Sequence, residues 1–456
     1  MSNTVFLEEI TYSPDSCELF ERVGDLPGAA LLDSSYPYSL AGRYDIITAC
    51  PAETALPQLP PAATEAQCLK FFEDLGNFQA EHYAGIQPAA QDIPFCGGLL
   101  GYMGYDCGLG LNKVADQSGA DEMLIPPLAL HAYEWAVVQD HLLKRSVFAA
   151  LPWVSSRARR EITARLRRPA APKGNPFTLT APFDSNFSSD QYRSAFEAIQ
   201  RYIQAGDCYQ VNLAQRFKAP YEGDPWSAYR ELRAAAAAPF SGYIALPSNS
   251  AVISLSPERF VSLHGHHVET SPIKGTRPRH SDAGADALAA EELLRSEKDR
   301  AENLMIVDLL RNDLGRTCVP GSIHVDRLFE LQSFPTVHHL VSTISGELRP
   351  DCGAADLLRD SFPGGSITGA PKRRSMEIIA ELEPCCRQVY CGSLLYISAD
   401  GRMDSNIAIR SLLCHQGDAL CWGGGGIVAD SQWQLEYQET FDKVGKFLQI
   451  LEADLH

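Results

Sequence analysis

Between residues 188 and 206 the chain shows a clear helical period. Tyr192, Phe196, Ile199 and Ile203 recur at steps of 4, 3 and 4 and mark one face of an α-helix, with Ser188 or Ser189 as its cap and Gly206 as its stop. Beyond it the period changes. CYQVNLAQRF, GYIALP, AVISLSPERFVSLHG and HHVETSPIKGT read as strands, and the last third alternates helices with short β-rich runs: QVYCGSLLYIS, NIAIRSLLC and ALCWGG. Two long helices stand among them. SEKDRAENLMIVDLLRND opens with Ser296 and Asp299 in a capping-box pattern, and SQWQLEYQETFDKVGKFLQIL with Ser431 and Gln434. On the second helix Tyr437, Phe441, Val444, Leu448 and Leu451 fall at steps of 4, 3, 4 and 3, the predicted buried stripe. Earlier runs such as PFCGGLLGYMGYD and LHAYEWAVVQD are strand-like with glycine-punctuated turns. RRPAAPKGNPFTLTAPFDSN, residues 167–186, has neither period and reads as a connector. The predicted organisation is a region 1–166, the connector 167–186 and a region 187–456, in an α+β fold of mostly antiparallel sheets. The first region has too few amphipathic helices to cover its own strands, so both regions are expected to share one core.

Composition narrows the class. Of 456 residues 45% are hydrophobic and 21% charged, ordinary for a globular enzyme, and the length suits one large domain or two intimately packed ones. No run of about 18 apolar residues occurs, so no membrane span is expected. The segment MSNTVFLEEITYSPDSCELF has no basic stretch of the kind that opens a signal peptide. The 13 cysteines include no CxxC pair and read as reduced thiols of a cytoplasmic protein. A net charge of −18 argues against nucleic-acid binding, which needs a basic footprint. An anionic ligand would then require basic groups, amide nests or a metal gathered in a few segments.

Such segments exist. Asp299 and Glu302 lie three apart on the first long helix, Glu436 and Glu439 three apart on the second, with Lys443 one turn further. On spacing alone these are solvated acidic faces with an i,i+4 Glu–Lys pair; if the two faces meet, they form an oxygen-rich site suited to Mg²⁺. In HHVETSPIKGTRPRH, Lys274, Arg277 and Arg279 lie within six residues, bent by Gly275 and Pro278. This is either a basic surface turn or a cleft in which a lysine near other cations has its pKa lowered and acts as a nucleophile. WGGGGIV, residues 422–428, is either a flexible loop or a run whose N–H groups converge on one anion. FPGGSITGAPKRRS sets glycines ahead of Lys372 without the spacing of a nucleotide P-loop, which is rejected. Arg410, inside the apolar run NIAIRSLLC, is expected to pair with a buried carboxylate of the protein or of a ligand. His339 alternates with apolar residues as a core histidine or a substrate contact. Glu258 follows a proline at a strand end.

SPERF, PIKGTRPR, ENLMIVDLLRND, FPTVHHLVSTISGEL, FPGGSITGAPK, YCGSLLY, IAIRS, GGGIV and EYQETFDK, in this order from about Gln191 to Lys446, resemble the chorismate-utilising enzymes: anthranilate synthase large subunits, aminodeoxychorismate synthase component I, isochorismate synthases and salicylate synthases. The resemblance implies large antiparallel β-sheets packed as a sandwich with helices outside. It implies that Glu302 and Glu439 ligate Mg²⁺, that Asp299 and Glu436 reach the metal through water, and that the ion holds the ring carboxylate of chorismate. Arg410, Tyr390 and the amides around Gly425 and Gly426 match groups that bind the enolpyruvyl carboxylate; Thr276, His339 and Lys443 match other substrate contacts. Glu258 matches an acid/base. Lys274 matches the lysine that marks the aminodeoxychorismate synthase branch, where anthranilate synthases resemble PIAGT. The activity so implied is amination of chorismate at ring carbon 4 to 4-amino-4-deoxychorismate, in 4-aminobenzoate and folate biosynthesis. The matched region leaves no room for a glutaminase, so ammonia is expected from a separate glutaminase subunit, and the aromatising lyase step from another enzyme. Two residues depart from the family pattern: Arg373 stands where an apolar residue such as valine is usual, and LLDSS differs from an LLES-like start of a tryptophan pocket. The alternatives are an anthranilate synthase component I, a water-using isochorismate or salicylate synthase, and a non-catalytic regulatory subunit that keeps the fold.

Overall fold

The alternating runs read from the sequence pair with one another, so the chain is built around sheets with helices outside. The computed structural model describes residues 3–39, 41–87, 92–115, 124–170, 174–335 and 337–455. Among these a thirteen-stranded sheet runs in the order Phe6–Ile10, Arg145–Ala150, Trp135–Asp140, Tyr44–Thr48, Ala30–Asp33, Phe240–Leu246, Ser250–Ser256, Ser411–His415, Asp418–Ile427, Gln210–Glu222 and Gly369–Ala370. Thr178–Leu179 and Asp184–Ser185 also pair with Gln210–Glu222. A nine-stranded sheet runs Ile273–Pro278, Val337–Glu347, His267–Ser271, Arg259–His264, Met403–Ser405, Ser393–Ser398, Gly98–Met103 and Leu128–Tyr133, with His324–Ser333 added to Val337–Glu347. Strand partners in both are antiparallel. The two sheets press together closely enough that a Cβ on Gly242 of the first would lie 2.8 Å from Leu394 Cδ2 of the second. Strands from before residue 167 enter both sheets. The connector is not free of strand: its two short pieces complete hydrogen bonds of the long Gln210–Glu222 strand, whose backbone groups need partners. Residues 171–173 of it lie outside the described residues. No helix among the described residues is long and apolar enough to cross a membrane.

Buried charge ties the amino-terminal strands to the rest. Asp33, in the LLDSS run, accepts hydrogen bonds from Arg233 and Tyr229 of the Pro225–Ala236 helix, and all three residues are buried. Losing one partner leaves the other charge uncompensated in the interior. Arg233→Ala is therefore expected to lower stability by about 3–5 kcal/mol, measured by denaturant unfolding; an unchanged midpoint would contradict this.

The three longest helices after the connector begin differently from one another. The Ser189–Ala205 helix is capped reciprocally by Ser188 and Gln191 and stopped at a left-handed Gly206. In Glu297–Leu314, Ser296 accepts from the Asp299 amide, but the Asp299 carboxylate does not close the box, because it pairs with Arg277 at 3.1 Å. The last long helix starts at Trp433, with Gln432 rather than Ser431 at its cap position. Ser431 is engaged elsewhere: its Oγ donates to Glu436 Oε1 at 2.6 Å and accepts from the Val428 amide at 3.1 Å. The buried residues of this helix are Glu436, Thr440, Val444, Phe447 and Leu451, so the stripe is turned by one position from the predicted one. The cause is the approach to Gly423, where a Cβ would lie 2.1 Å from the Thr440 carbonyl oxygen. Helix backbone packs on bare strand backbone there, and a threonine and a glutamate are buried by proximity.

Candidate active site

The glycine run is a strand, Asp418–Ile427, and its ladder decides which amides are free. Gly424, Gly425 and Gly426 lie opposite Ala214, Leu213 and Asn212. The Asn212 amide donates to the Thr368 carbonyl at 2.9 Å and the Ala214 amide to Glu383 Oε1 at 2.8 Å, both away from the glycine strand. Hydrogen-bonded and non-hydrogen-bonded pairs alternate in an antiparallel ladder, so Leu213–Gly425 is the bonded pair. The Gly425 amide is committed to the ladder, which corrects its expected part as a donor to substrate; Gly424 joins Gly426 in facing the other edge. That edge is open, because the neighbouring Ser411–His415 strand pairs only as far as Cys421. Lys443 Nζ reaches it and donates to the Gly424 carbonyl at 2.7 Å.

The open edge walls a cavity of about 820 Å³. Acids from the two long helices meet here. A Cβ on Gly426 would lie 3.1 Å from Glu302 Oε1; one on Gly425 would lie 3.2 Å from Glu436 Oε2 and 3.5 Å from Glu439 Oε1. Glycine at these positions gives the three carboxylates, and the Gln210 amide 2.1 Å from where a Cβ on Gly426 would lie, room to approach the strand. Glu302 Oε1 accepts from Gln210 Nε2 at 2.6 Å and pairs with Lys274 Nζ at 2.9 Å. Glu439 pairs with Lys443 at 2.7 Å. Burial opposes the charge on both acids, but the lysines hold them ionised, with pKa values below the ordinary one. Burial, reinforced by the neighbouring charge of Glu439, outweighs the Ser431 hydrogen bond and raises the pKa of Glu436, whose Oε2 is buried without a hydrogen-bond partner among the described residues. Asp299 is engaged by Arg277. Among the described residues no three acids, histidines or cysteines already form a metal cage. The space between Glu302, Glu436 and Glu439, with one orphaned carboxylate oxygen, nonetheless suits a hard cation that takes one or two carboxylates and fills its shell with other oxygens.

Lys274 sits in a bulge. The pairing of Ile273–Pro278 with Val337–Glu347 shifts register between Ile273 and Thr276, and Gly275 takes φ 85° in the gap, a backbone state that favours glycine. The bulge re-aims the lysine into the cavity, leaving its side chain 12% exposed. Its pKa is raised rather than lowered as expected: burial lowers it, but the Glu302 carboxylate more than reverses this. The charges nearest Lys274 are acids, not the arginines adjacent in sequence. Arg277 bridges Glu292 and Asp299, and Arg279 pairs with Asp286.

Glu258 lies between the Ser250–Ser256 and Arg259–His264 strands and is 4% exposed. Burial pushes its pKa up to about 7, against the Ser366 hydroxyl, which donates to Oε1 at 2.7 Å, and the charge of Lys274. The acid and the amine thus face one cavity. Thr276 Oγ1 and His339 Nδ1 are 2.8 Å apart. Burial, with the Arg410 charge, pushes the His339 pKa down to about 3, so this ring is a neutral hydrogen-bonding group. Tyr390 is buried and stacks on Trp422 with ring centroids 6.1 Å apart.

Arg410 lies outside the strand predicted for it. Its backbone is left-handed, φ 52°, one residue before Ser411–His415, so strand alternation does not govern its side chain, which lines the cavity. Among the described residues no carboxylate pairs with its guanidinium, and burial alone lowers its pKa. Lys372 has a structural partner instead: it is buried and pairs with Asp313 at 2.7 Å. Arg373 is explained by exposure and an i,i+4 pair with Glu377 at 3.0 Å. Sequence reading missed Gln210, Asn212 and Ser366. Gln210 reaches Glu302 across 92 positions and Ser366 reaches Glu258 across 108, separations that leave no local spacing signal.

A family model described as chorismate binding enzyme matches residues 32–449. The chain is 46% identical over 451 residues to aminodeoxychorismate synthase component 1 of Klebsiella aerogenes, covering 97% of this chain and 98% of that one. It is 38% identical over 375 residues to anthranilate synthase component 1 of Streptomyces coelicolor, covering 78% and 73%. Its fold is similar to that of anthranilate synthase component I from Streptococcus pneumoniae TIGR4, with a TM-score of 0.73 at 29% identity, covering 90% and 93%.

Proposed function

The chain belongs to the chorismate binding enzymes, and from that premise we propose that its cavity aminates chorismate at ring carbon 4 to give 4-amino-4-deoxychorismate. The observation that carries this reading is the placement of Lys274 and Glu258 on one cavity that Arg410, without a carboxylate partner among the described residues, also lines. An amine at position 274 gives a nucleophile for ring carbon 2 that an anthranilate-forming site, with alanine at this position, lacks. The near-full-length match to a component 1 of aminodeoxychorismate synthase supports the same branch.

Chorismate carries two carboxylates, and the cavity offers two places for them. Arg410, Tyr390 and the free amides of Gly424 and Gly426 take the enolpyruvyl carboxylate. The ring carboxylate lies toward Glu302 and Glu439, whose own charge would repel it. A Mg²⁺ ion held directly by Glu302 and Glu439, with Asp299 and Glu436 reaching it through water, would supply the positive charge that joins acids and substrate there. Thr276, His339 and Lys443 complete the enclosure.

Lys274, an ammonium beside Glu302 in the free protein, gives a proton to solvent as substrate binds, and the neutral amine attacks carbon 2. The ring double bonds shift and the carbon 4 hydroxyl departs as water, taking its proton from the Glu258 carboxylic acid. The lysine nitrogen, now a secondary ammonium, keeps its proton so that it can later depart as a neutral amine. Ammonia adds at carbon 4, the double bonds shift back, and the bond from carbon 2 to Nζ breaks to restore the lysine. Glu258, left as carboxylate, takes a proton from the incoming nitrogen. A pKa near 7 lets one carboxyl serve both steps. Ammonia comes from a separate glutaminase subunit, in keeping with the "component 1" in the relative's name.

The test is product identity. The pure chain is incubated with chorismate, Mg²⁺ and ammonium, and an aminodeoxychorismate lyase is added. 4-Aminobenzoate is the expected product; anthranilate would assign the chain to the other branch, and no turnover would favour a regulatory subunit.

A further inference from the structure

The run FPGGSITGAPK fits no phosphate loop, yet its two glycines have a steric reason. A Cβ on Gly364 would lie 2.5 Å from Ile407 Cδ1, and one on Gly365 would lie 2.7 Å from Leu309 Cδ2, on the helix that carries Glu302. The turn is pressed between these neighbours and continues as the short 3₁₀ segment Gly365–Ile367. This places Ser366 in the cavity wall, 7% exposed, with its Oγ donating to Glu258 Oε1 at 2.7 Å. The hydroxyl is thus held by a backbone that has no room to retreat, and it is aimed at the acid/base.

We propose that Ser366 is a positioning residue for the chorismate reaction: its hydroxyl fixes the Glu258 carboxyl toward substrate and favours the ionised form, so that Glu258 both gives and recovers a proton in each turnover. This rests on the reading of Glu258 as the acid/base. The groups facing Glu258 are Ser366, the Ile273 amide, Lys274 and Lys443, which favour its charge, and the Cys391 thiol. Burial acts the other way. A hydroxyl that donates to a carboxylate stabilises the charged form, and its loss raises the carboxyl pKa further. Because kcat/KM for chorismate requires the protonated acid, its high-pH limb follows Glu258.

The experiment compares kcat/KM for chorismate across pH, at a fixed concentration of free ammonia, in the wild type, Ser366→Ala, Ser366→Thr, Ser366→Val and Glu258→Gln. Ser366→Ala is expected to move the high-pH limb upward by about half a pH unit or more, and Ser366→Thr to keep the wild-type limb. Threonine and valine are nearly equal in size and differ in the hydroxyl, so this pair decides the matter if the alanine variant is unstable; valine is expected to behave as alanine does. A limb at the same pH in the threonine and valine variants, whatever their rates, would overturn the role of Ser366. An active Glu258→Gln variant with the wild-type profile would instead overturn the reading of Glu258 itself.

Discussion

Glu258→Gln is expected to lower chorismate amination by about 10²–10⁴-fold while making the protein more stable at neutral pH. The first effect follows from the loss of the only group in the mechanism that gives a proton to the departing hydroxyl. The amide keeps the shape of the carboxyl and can still accept from Ser366. The second effect follows from linkage. The folded state holds the Glu258 carboxyl at about 7, against an ordinary value of 4.5, so the folded protein binds more protons than the unfolded chain between those values. Stability contributed by this group is therefore full below about pH 4.5 and lost as pH rises toward 7, a difference of roughly 3 kcal/mol. Glutamine does not titrate and escapes that loss. Thermal melts of wild type and variant should converge at acid pH and separate above neutrality, with the variant higher. Equal melts at every pH would mean that Glu258 is not held in an unfavourable charged state.

Arg410→Met is expected to reduce kcat/KM for chorismate by a factor corresponding to about 2–5 kcal/mol, without lowering the melting temperature. Most buried arginines stabilise a fold through a carboxylate partner, and their removal strands that partner. Arg410 has no such partner among the described residues. Its side chain is partly buried at the cavity wall, so replacing it removes a charge at no cost in lost ion pairs. Parallel steady-state kinetics and thermal denaturation check both halves. A variant that loses stability and keeps its KM for chorismate would place Arg410 in the framework and remove it from the anion site.

How much of this could be read beforehand differs from element to element, for physical reasons. The Ser189–Ala205 helix was fully legible because its cap, apolar face and glycine stop are all local. The antiparallel α+β architecture was legible from alternation. The acids of the two long helices could be paired on their own helices by spacing, but not with each other, because the element that unites them is a strand of glycines. Glycine has no side chain to alternate, so Asp418–Ile427 carries no period and resembles a loop. The same absence turned the last helix: with Gly423 bare, the helix face nearest it is buried whatever its polarity, and Glu436 and Thr440 go inward where Tyr437 and Phe441 were expected to lead. Lys274 was recognised, but its electrostatic surroundings were misjudged, since arginines adjacent in sequence turn to other acids while a glutamate 28 positions away becomes its partner. Ser366 and Gln210 act only across long separations.

The central claim is that Lys274 bonds to the ring before ammonia does. Intact-mass and peptide-level mass spectrometry of the chain mixed with chorismate and Mg²⁺, with ammonium withheld, tests it most directly. The account predicts that chorismate less one water becomes attached to Lys274 and disappears when ammonium is added, with 4-amino-4-deoxychorismate released. A Lys274→Ala variant that forms the same product at the wild-type rate, together with no adduct on the wild-type lysine, would contradict it.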